Sequence, residues 1–290
     1  MTWEYSEDNL IEQTAIDLFF NQLGWDTLLA FNKESFGEGS TLGRLNKKEV
    51  VLKRIFFEKI KEFNPNLLEQ AYNQAFEKLT EESITKSLAE INFEKHQLLR
   101  NGIPVVFPPS PERRGEGGEV KTLKIFDFDN ADNNNFLAVR QLWLQGKSNR
   151  ERRPDIIGFV NGIPLLFIEL KAAHRKLENA YNDNFTDYKD VIPKLFYYNA
   201  FVLLSNGIES RIGSVTGKYQ HFHEWKRITE EDEGIVALDR IIVGVCEKKR
   251  FLDLFENFIL FDNSLGKVIK LIARNHQFIG VNKAIENIQH

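Results

Sequence analysis

The sequence predicts an α/β protein in which a mixed β-sheet is flanked by helices. Two short apolar runs, 156–160 and 164–170, surround the pair Asn161-Gly162. An Asn-Gly pair between such runs is the strongest short-range signal for a β-hairpin, because both turn positions favour a positive φ. A third apolar run, 201–205, ends at another Asn-Gly pair. Residues 6–23 instead place apolar side chains at helical spacing.

The composition is that of a soluble globular protein. The chain has 290 residues, 42% of them hydrophobic and 28% charged, which suffices for one large or two small domains. No apolar run approaches the length of a membrane span, and the first residues lack a signal-peptide pattern. The lone Cys246 excludes an internal disulfide. We therefore expect a cytoplasmic protein without membrane contact. The net charge of −4 argues against a stand-alone DNA binder.

The first half of the chain is predicted to be mostly helical. Helix 6–23 begins at a capping Ser6 and carries Glu12 at the flank of its apolar face. A glycine-dotted stretch with a short candidate strand, 25–31, follows. Further helices are predicted at 48–63, at 64–79 starting from Asn64-Pro65, and at 80–99. They form a helical insert at about 47–100 that packs against the sheet or against a partner.

The sheet is predicted from strands near residues 103, 120, 136, 155, 164, 201 and 209. A loop at 108–118 separates the first two strands, and 219–225 is a further candidate edge strand. A helix at 175–189 flanks the sheet, and a short helix covers 192–198. His221 and His223 on the edge strand are either metal ligands or plain surface residues. Residues 226–290 change character, with an acidic link, an amphipathic helix at 251–261 and a helical tail.

Two carboxylates and one amine lie at the ends of the predicted hairpin. Asp155 precedes its first strand, while Glu169 and Lys171 end the second strand and point to the same face. Hard cations such as Mg²⁺ bind one or two carboxylates together with waters and substrate phosphate, and the Leu170 carbonyl is a further oxygen. Lys171 would orient a water or offset phosphate charge. This pattern favours a metal-dependent phosphodiesterase; the alternative is a strand entry and a solvated edge.

The register of the hairpin decides whether the two carboxylates can meet. A two-residue turn pairs Val160 with Ile163, and a regular ladder would then pair Asp155 with Ile168. Asp155 and Glu169 would then lie on opposite faces of the sheet. A shared metal site therefore requires Asp155 to lie before the ladder or beyond a bulge, and Gly158 is one place for that bulge.

The motif resembles the PD-(D/E)xK nuclease superfamily. Its context, RRPDIIGFVNGIPLLFIELKAA followed by NAYNDNFTDYKDVIPKLFYYNAFVLLSNG, resembles the nuclease domain of the restriction (R, motor) subunit of type I restriction-modification enzymes. The resemblance implies a restriction-endonuclease-like fold in which Asp155, Glu169 and Lys171 are catalytic. It makes Glu12 a further candidate metal ligand. The family's Gln-x-x-x-Tyr appears here as Asn184-x-x-x-Tyr188, with a role in DNA positioning or support of the ligands.

The resemblance also implies cofactors and partners. These are Mg²⁺ (with Mn²⁺ as a substitute), double-stranded DNA, and the methyltransferase and specificity subunits of the complex. Arg152 and Arg153 are candidate DNA-positioning residues, among basic residues that flank the site and otherwise form a solvated loop. The tail, with Ala-Arg-x-His-Gln, resembles the lead-in to an ATPase motor in which Gln277 contacts adenine. No G-x-x-x-x-G-K-[ST] occurs in the chain, so ATP would serve the full-length subunit only.

We therefore expect an endonuclease domain at 1–225, and a linker with a helical lead-in to an absent motor at 226–290. It would hydrolyse DNA after ATP-driven translocation by the motor, and alone it would cut weakly or not at all. One alternative is a non-catalytic docking module of a DNA-translocating complex, with the helical insert and tail as its surfaces. Another is a stand-alone repair or junction nuclease, against which the motor-like tail argues.

Overall fold

The structure is a computed structural model that describes residues 7–107, 119–234, 237–264 and 266–289. Its main helices are α1 (Glu7–Asn21), α2 (Lys53–Phe63), α3 (Glu69–Thr80), α4 (Leu88–Asn101), α5 (Leu177–Asn179), α6 (Thr186–Val191), α7 (Pro193–Phe196), α8 (Leu238–Cys246), α9 (Lys248–Asn257) and α10 (Asn275–Gln289). Its strands are β1 (Asp26–Leu29), β2 (Ile103–Phe107), β3 (Glu119–Leu123), β4 (Phe136–Arg140), β5 (Leu144–Gln145), β6 (Glu151–Arg152), β7 (Ile156–Val160), β8 (Ile163–Leu170), β9 (Phe201–Ser205), β10 (Ser210–Gly213), β11 (Ile259–Asp262) and β12 (Ile269–Ile272). The predicted cap Ser6 and loop 108–118 lie outside the described residues.

A six-stranded mixed sheet forms the centre of the fold, in the order β1-β4-β7-β8-β9-β10. The pairs β1–β4 and β8–β9 are parallel, and the other neighbours are antiparallel. Strands β7, β8 and β9 are buried along their whole length, as expected for central strands covered on both faces. The predicted fold class, a mixed sheet flanked by helices, is confirmed.

Aromatic side chains cover both faces of the sheet. On one face, Phe251 of α9 packs edge-on against Trp25 and Phe201, with ring centroids 5.6 and 5.4 Å apart. On the other face, Phe167 of β8 contacts Phe185 and Phe196. Edge-to-face contacts of this kind add to the hydrophobic stabilisation. Because Glu169 lies two residues after Phe167 on the same strand, the second face is also the one that carries the candidate site.

Some predicted elements were wrong. The strands near 103 and 120 pair with each other as β2–β3, outside the main sheet, while the short candidate near 25 forms its edge as β1. The helix expected from Asn64-Pro65 begins only at Glu69, because Asn66 has a φ of 64°, which is incompatible with a helix. The expected strand 219–225 is a short 3₁₀ turn, with only an isolated bridge between Ile212 and His223.

The segment after residue 225 contains more structure than the sequence indicated. The predicted helix 251–261 is replaced by α9, which ends at Asn257, and by the hairpin β11–β12. Helix α8 packs on α1, and the Trp25 indole donates to the Cys246 carbonyl over 2.9 Å. A domain boundary near 225 remains a prediction. Within the described ranges, no helix has the length and apolarity that a membrane crossing requires.

Candidate active site

The β7–β8 hairpin contains the predicted irregularity. Val160 pairs with Ile163 across the Asn161-Gly162 turn, where φ is 50° and 78°. The register then shifts between Gly158 and Phe159, so that Ile156 faces Ile168. Continuing this register by one residue places Asp155, just before the ladder, opposite Glu169. The prediction is confirmed, and both carboxylates reach the same face of the sheet.

Packing around the bulge holds the shifted register. Leu165 is the extra residue of the bulge, and its carbonyl accepts hydrogen bonds from the Ala200 amide at 2.6 Å and the Asn199 side chain at 3.2 Å. A Cβ at Gly158 would lie 2.9 Å from the Leu166 Cβ and 3.1 Å from the Trp25 ring. Only glycine therefore fits the strand opposite the bulge without a rearrangement.

The two carboxylates differ in their surroundings. Asp155 Oδ2 accepts a hydrogen bond from the Leu170 amide at 2.7 Å, which ties Asp155 to the end of β8. Glu169 is 1% exposed, and its Oε1 accepts from Lys171 Nζ at 3.1 Å. Its Oε2 is buried and has no hydrogen-bond partner within the described part of the chain. Since buried polar atoms are normally satisfied, this oxygen is the first candidate ligand of a cation.

Electrostatics make the Glu169 carboxylate unstable in the metal-free protein. Burial raises its pKa well above the ordinary value, and the Asp155 charge raises it further, while Lys171 opposes both effects. Lys171 is itself partly buried. A bound cation would favour the ionised form of Glu169.

Glu12 of α1 is connected to the two carboxylates through Gln141. It is 5% exposed; its Oε2 accepts from Arg140 Nε at 2.6 Å and its Oε1 from Gln141 Nε2 at 2.7 Å. Gln141 Nε2 also lies 3.3 Å from Asp155 Oδ1. The structure thus brings Glu12 next to the site, and its direct metal role remains a prediction. Sequence reasoning missed Gln141, although the polar Arg140-Gln141 pair inside an apolar run was a signal.

Tyr188 of α6 packs against Phe167, on the sheet face that carries the candidate site. It is 6% exposed, and its hydroxyl donates to the Arg153 carbonyl at 3.1 Å. Burial, followed by the Glu169 and Asp155 charges, raises the pKa of Tyr188, and the Asn184 side chain opposes this rise. The helix that carries both residues contains a π-helical segment, Ala180–Phe185. The Tyr188 hydroxyl thus contacts the backbone that leads into Asp155, and a role of Asn184 and Tyr188 in DNA positioning or ligand support stays a prediction.

The other candidate residues make local contacts. Arg152 forms a two-contact ion pair with Asp187, and the Arg153 guanidinium lies 4.2 Å from the centroid of the Phe31 ring. Their predicted contacts with DNA stay predictions. Gln277 is exposed and accepts the Arg274 amide through its Oε1 at 2.8 Å, at the start of α10.

The donor set fits a hard divalent cation. Among the residues that the structure describes, no three His, Cys, Asp or Glu side chains form a metal-binding group. Mg²⁺ does not need one, because it commonly binds one or two carboxylates and keeps several waters. Asp155 and Glu169 supply that number. His223 is half-buried, and its Nε2 lies 3.2 Å from the Ala273 carbonyl oxygen, so it has a structural contact.

Sequence comparison with known proteins identifies the family of this chain. Residues 4–221 match the family described as the N terminus of the type I restriction enzyme R protein. The chain belongs to that family. Over 97% of its length, this R-protein N terminus is 33% identical to the type I restriction enzyme HindI endonuclease subunit of Haemophilus influenzae. It is 29% identical, again over 97%, to the putative type I restriction enzyme MjaIXP endonuclease subunit of Methanocaldococcus jannaschii. The chain covers 26% and 28% of these relatives, about a quarter of their length.

Proposed function

We propose that this R-protein N terminus is a Mg²⁺-dependent DNA endonuclease domain. One observation carries the proposal: the bulge in the hairpin sets Asp155 opposite Glu169, whose buried Oε2 has no partner within the described ranges. A fold that only required a stable hairpin would not gain from two carboxylates there, because like charges on facing strand residues are destabilising. The names of the relatives, which describe endonuclease subunits, support the same reading.

The residues of the chain have distinct roles in this proposal. Asp155 and Glu169 bind the cation, with the Leu170 carbonyl as a further oxygen. When bound, Mg²⁺ would polarise the scissile phosphate and lower the pKa of a water. Lys171, which contacts Glu169 Oε1, offsets the charge that develops on the phosphate oxygens. Tyr188 hydrogen-bonds to the Arg153 carbonyl and so fixes the backbone just before Asp155.

The rest of the enzyme would supply DNA and energy. The relatives are about four times longer than this chain, and its own charge is −4. We propose that a motor part consumes ATP, with Gln277 near its adenine, and that methyltransferase and specificity subunits complete the assembly in the cytoplasm. Double-stranded DNA would then be held mainly by these parts, with Arg152 and Arg153 as local contacts. A nuclease domain that does not bind DNA tightly by itself could then still cut it.

The test is DNA cleavage by the complete enzyme carrying Lys171→Ala. We expect the cleavage rate to fall about 100-fold or more, the magnitude typical for loss of one group that stabilises transition-state charge. ATP hydrolysis should be unchanged, because Lys171 is not part of the motor. Lys121→Ala, a change at an exposed lysine on β3, is the matched control. Wild-type cleavage by the Lys171 variant would contradict the proposal and favour a non-catalytic docking module.

A further inference from the structure

Gln141 occupies an unusual backbone position beside the carboxylates. It follows the last residue of β4 with a φ of 58°, in the left-handed region that residues with a side chain rarely adopt. It is 3% exposed, and its backbone amide donates to the Asp155 carbonyl at 2.9 Å. Backbone strain of this kind persists only where the surroundings impose it, often at functional sites.

The backbone conformation of Gln141 places its side-chain amide between two acidic side chains. Nε2 donates to Glu12 Oε1 at 2.7 Å and lies 3.3 Å from Asp155 Oδ1. An amide nitrogen offers two hydrogens, so one group can hold two carboxylates that would otherwise repel each other. Arg140 binds the second oxygen of Glu12 and fixes that side chain from the other direction.

The amide oxygen of the same residue is buried and without a partner. Gln141 Oε1 makes no hydrogen bond to any residue that the structure describes. A glutamine with only a packing role would normally have both ends satisfied. The orientation is instead set by the nitrogen, which the two carboxylates require as a donor.

We propose that Gln141 is a positioning residue for Asp155, and that Glu12 acts on the site only through the Gln141 amide. The inference rests on the proposed metal site. Gln141 fixes the side-chain orientation of Asp155 in advance of cation binding, while Glu12 and Arg140 fix Gln141. Residues that hydrogen-bond to metal ligands and orient them typically contribute 10- to 100-fold to metal affinity.

The test compares two glycine substitutions at matched backbone positions. Gln141→Gly removes the amide but suits the left-handed φ. Ser148→Gly is the control, because Ser148 is exposed and has a φ of 55°. We expect Mn²⁺ binding, measured by calorimetry, to weaken about 10- to 100-fold in the Gln141 variant and to stay unchanged in the control. Gln141→Met, which keeps the side-chain volume, should weaken it equally.

A double substitution separates positioning through Gln141 from direct binding by Glu12. If Glu12 acts only through Gln141, Glu12→Gln combined with Gln141→Met should bind Mn²⁺ no more weakly than Gln141→Met alone. An additive loss, or wild-type affinity in both Gln141 variants, overturns the inference and leaves the metal site intact. Absence of Mn²⁺ binding by the wild-type chain would instead overturn the metal site and the inference together.

Discussion

Replacing Glu169 by glutamine should stabilise the metal-free protein. The substitution keeps the shape of the side chain and removes a buried negative charge whose Oε2 has no partner in the described structure. At an effective dielectric constant near 20, attraction to Lys171 over 3.1 Å is worth about 5 kcal/mol, similar to the several kcal/mol needed to bury an ion. The repulsion from the Asp155 charge on the facing strand then remains.

Part of this repulsion is relieved by proton uptake and by solvent near Lys171. We therefore expect Glu169→Gln to raise the free energy of unfolding by about 1–2 kcal/mol at pH 7, a gain typical of substitutions that relieve strained functional sites. For a chain of this size, that corresponds to a rise in Tm of about 2–6 °C.

The difference between variant and wild type should depend on pH. The folded-state pKa of Glu169 is raised above its unfolded value, by burial and then by Asp155. Below the ordinary glutamic acid pKa, Glu169 is protonated in both the folded and the unfolded protein, and its buried charge does not destabilise the fold. As the pH rises, the unfolded state loses its proton first, so the wild type loses stability until the pH passes the folded pKa. The difference in the free energy of unfolding between Glu169→Gln and the wild type should therefore increase with pH over the same range.

The assay is thermal and urea unfolding across pH with a chelator present, and Glu178→Gln, at an exposed position on α5, is the control. Mg²⁺ at ten times its Kd should stabilise the wild type by about 1.4 kcal/mol and leave the Glu169 variant unchanged. A Glu169→Gln protein that is less stable than the wild type at every pH would refute this reasoning.

Two further predictions concern the scaffold. Burial lowers the pKa of His96 to about 4, so only the unfolded state takes up its proton between pH 6.5 and 4. The contribution of His96 to stability should therefore fall by about 3 kcal/mol over that range as the pH drops, and His96→Gln should remove this fall in urea titrations at several pH values. Gly146→Ala would place a Cβ 1.8 Å from the Val191 carbonyl oxygen. We expect it to lower stability by about 1–3 kcal/mol or more, while Gly39→Ala, which meets nothing within 4 Å, should be neutral in thermal unfolding.

The elements that the sequence predicted well are those with local signals. The Asn161-Gly162 turn requires two positive φ values, which few residue pairs tolerate, so the hairpin and its register at the turn followed directly. The bulge was predicted by chemistry, since only an irregular ladder brings Asp155 and Glu169 together. Tyr188 was singled out by the resemblance to the family's Gln-x-x-x-Tyr motif on the helix that follows the hairpin. In each case the determining residues lie close together in the chain.

What the sequence did not reveal depends on long-range contacts. The Gln141 amide acquires its role from Glu12, 129 positions earlier in the chain, and from a backbone angle that no local signal predicts for glutamine. The sequence also did not reveal that β2 and β3 pair only with each other among the described strands, because a strand pattern does not specify which sheet the strand joins. Asn66 moved the start of a predicted helix to Glu69, through a φ that depends on its surroundings.

The most direct test of the central claim is Mn²⁺ binding by calorimetry to the chain and to its Asp155→Asn variant. Asp129→Asn, at an exposed carboxylate, serves as the control. We predict that wild type and control bind Mn²⁺ with the same affinity and that the Asp155 variant loses this binding, because the proposed site needs the carboxylates of both Asp155 and Glu169. Equal binding by the Asp155 variant, or no binding by the wild type, would contradict the account.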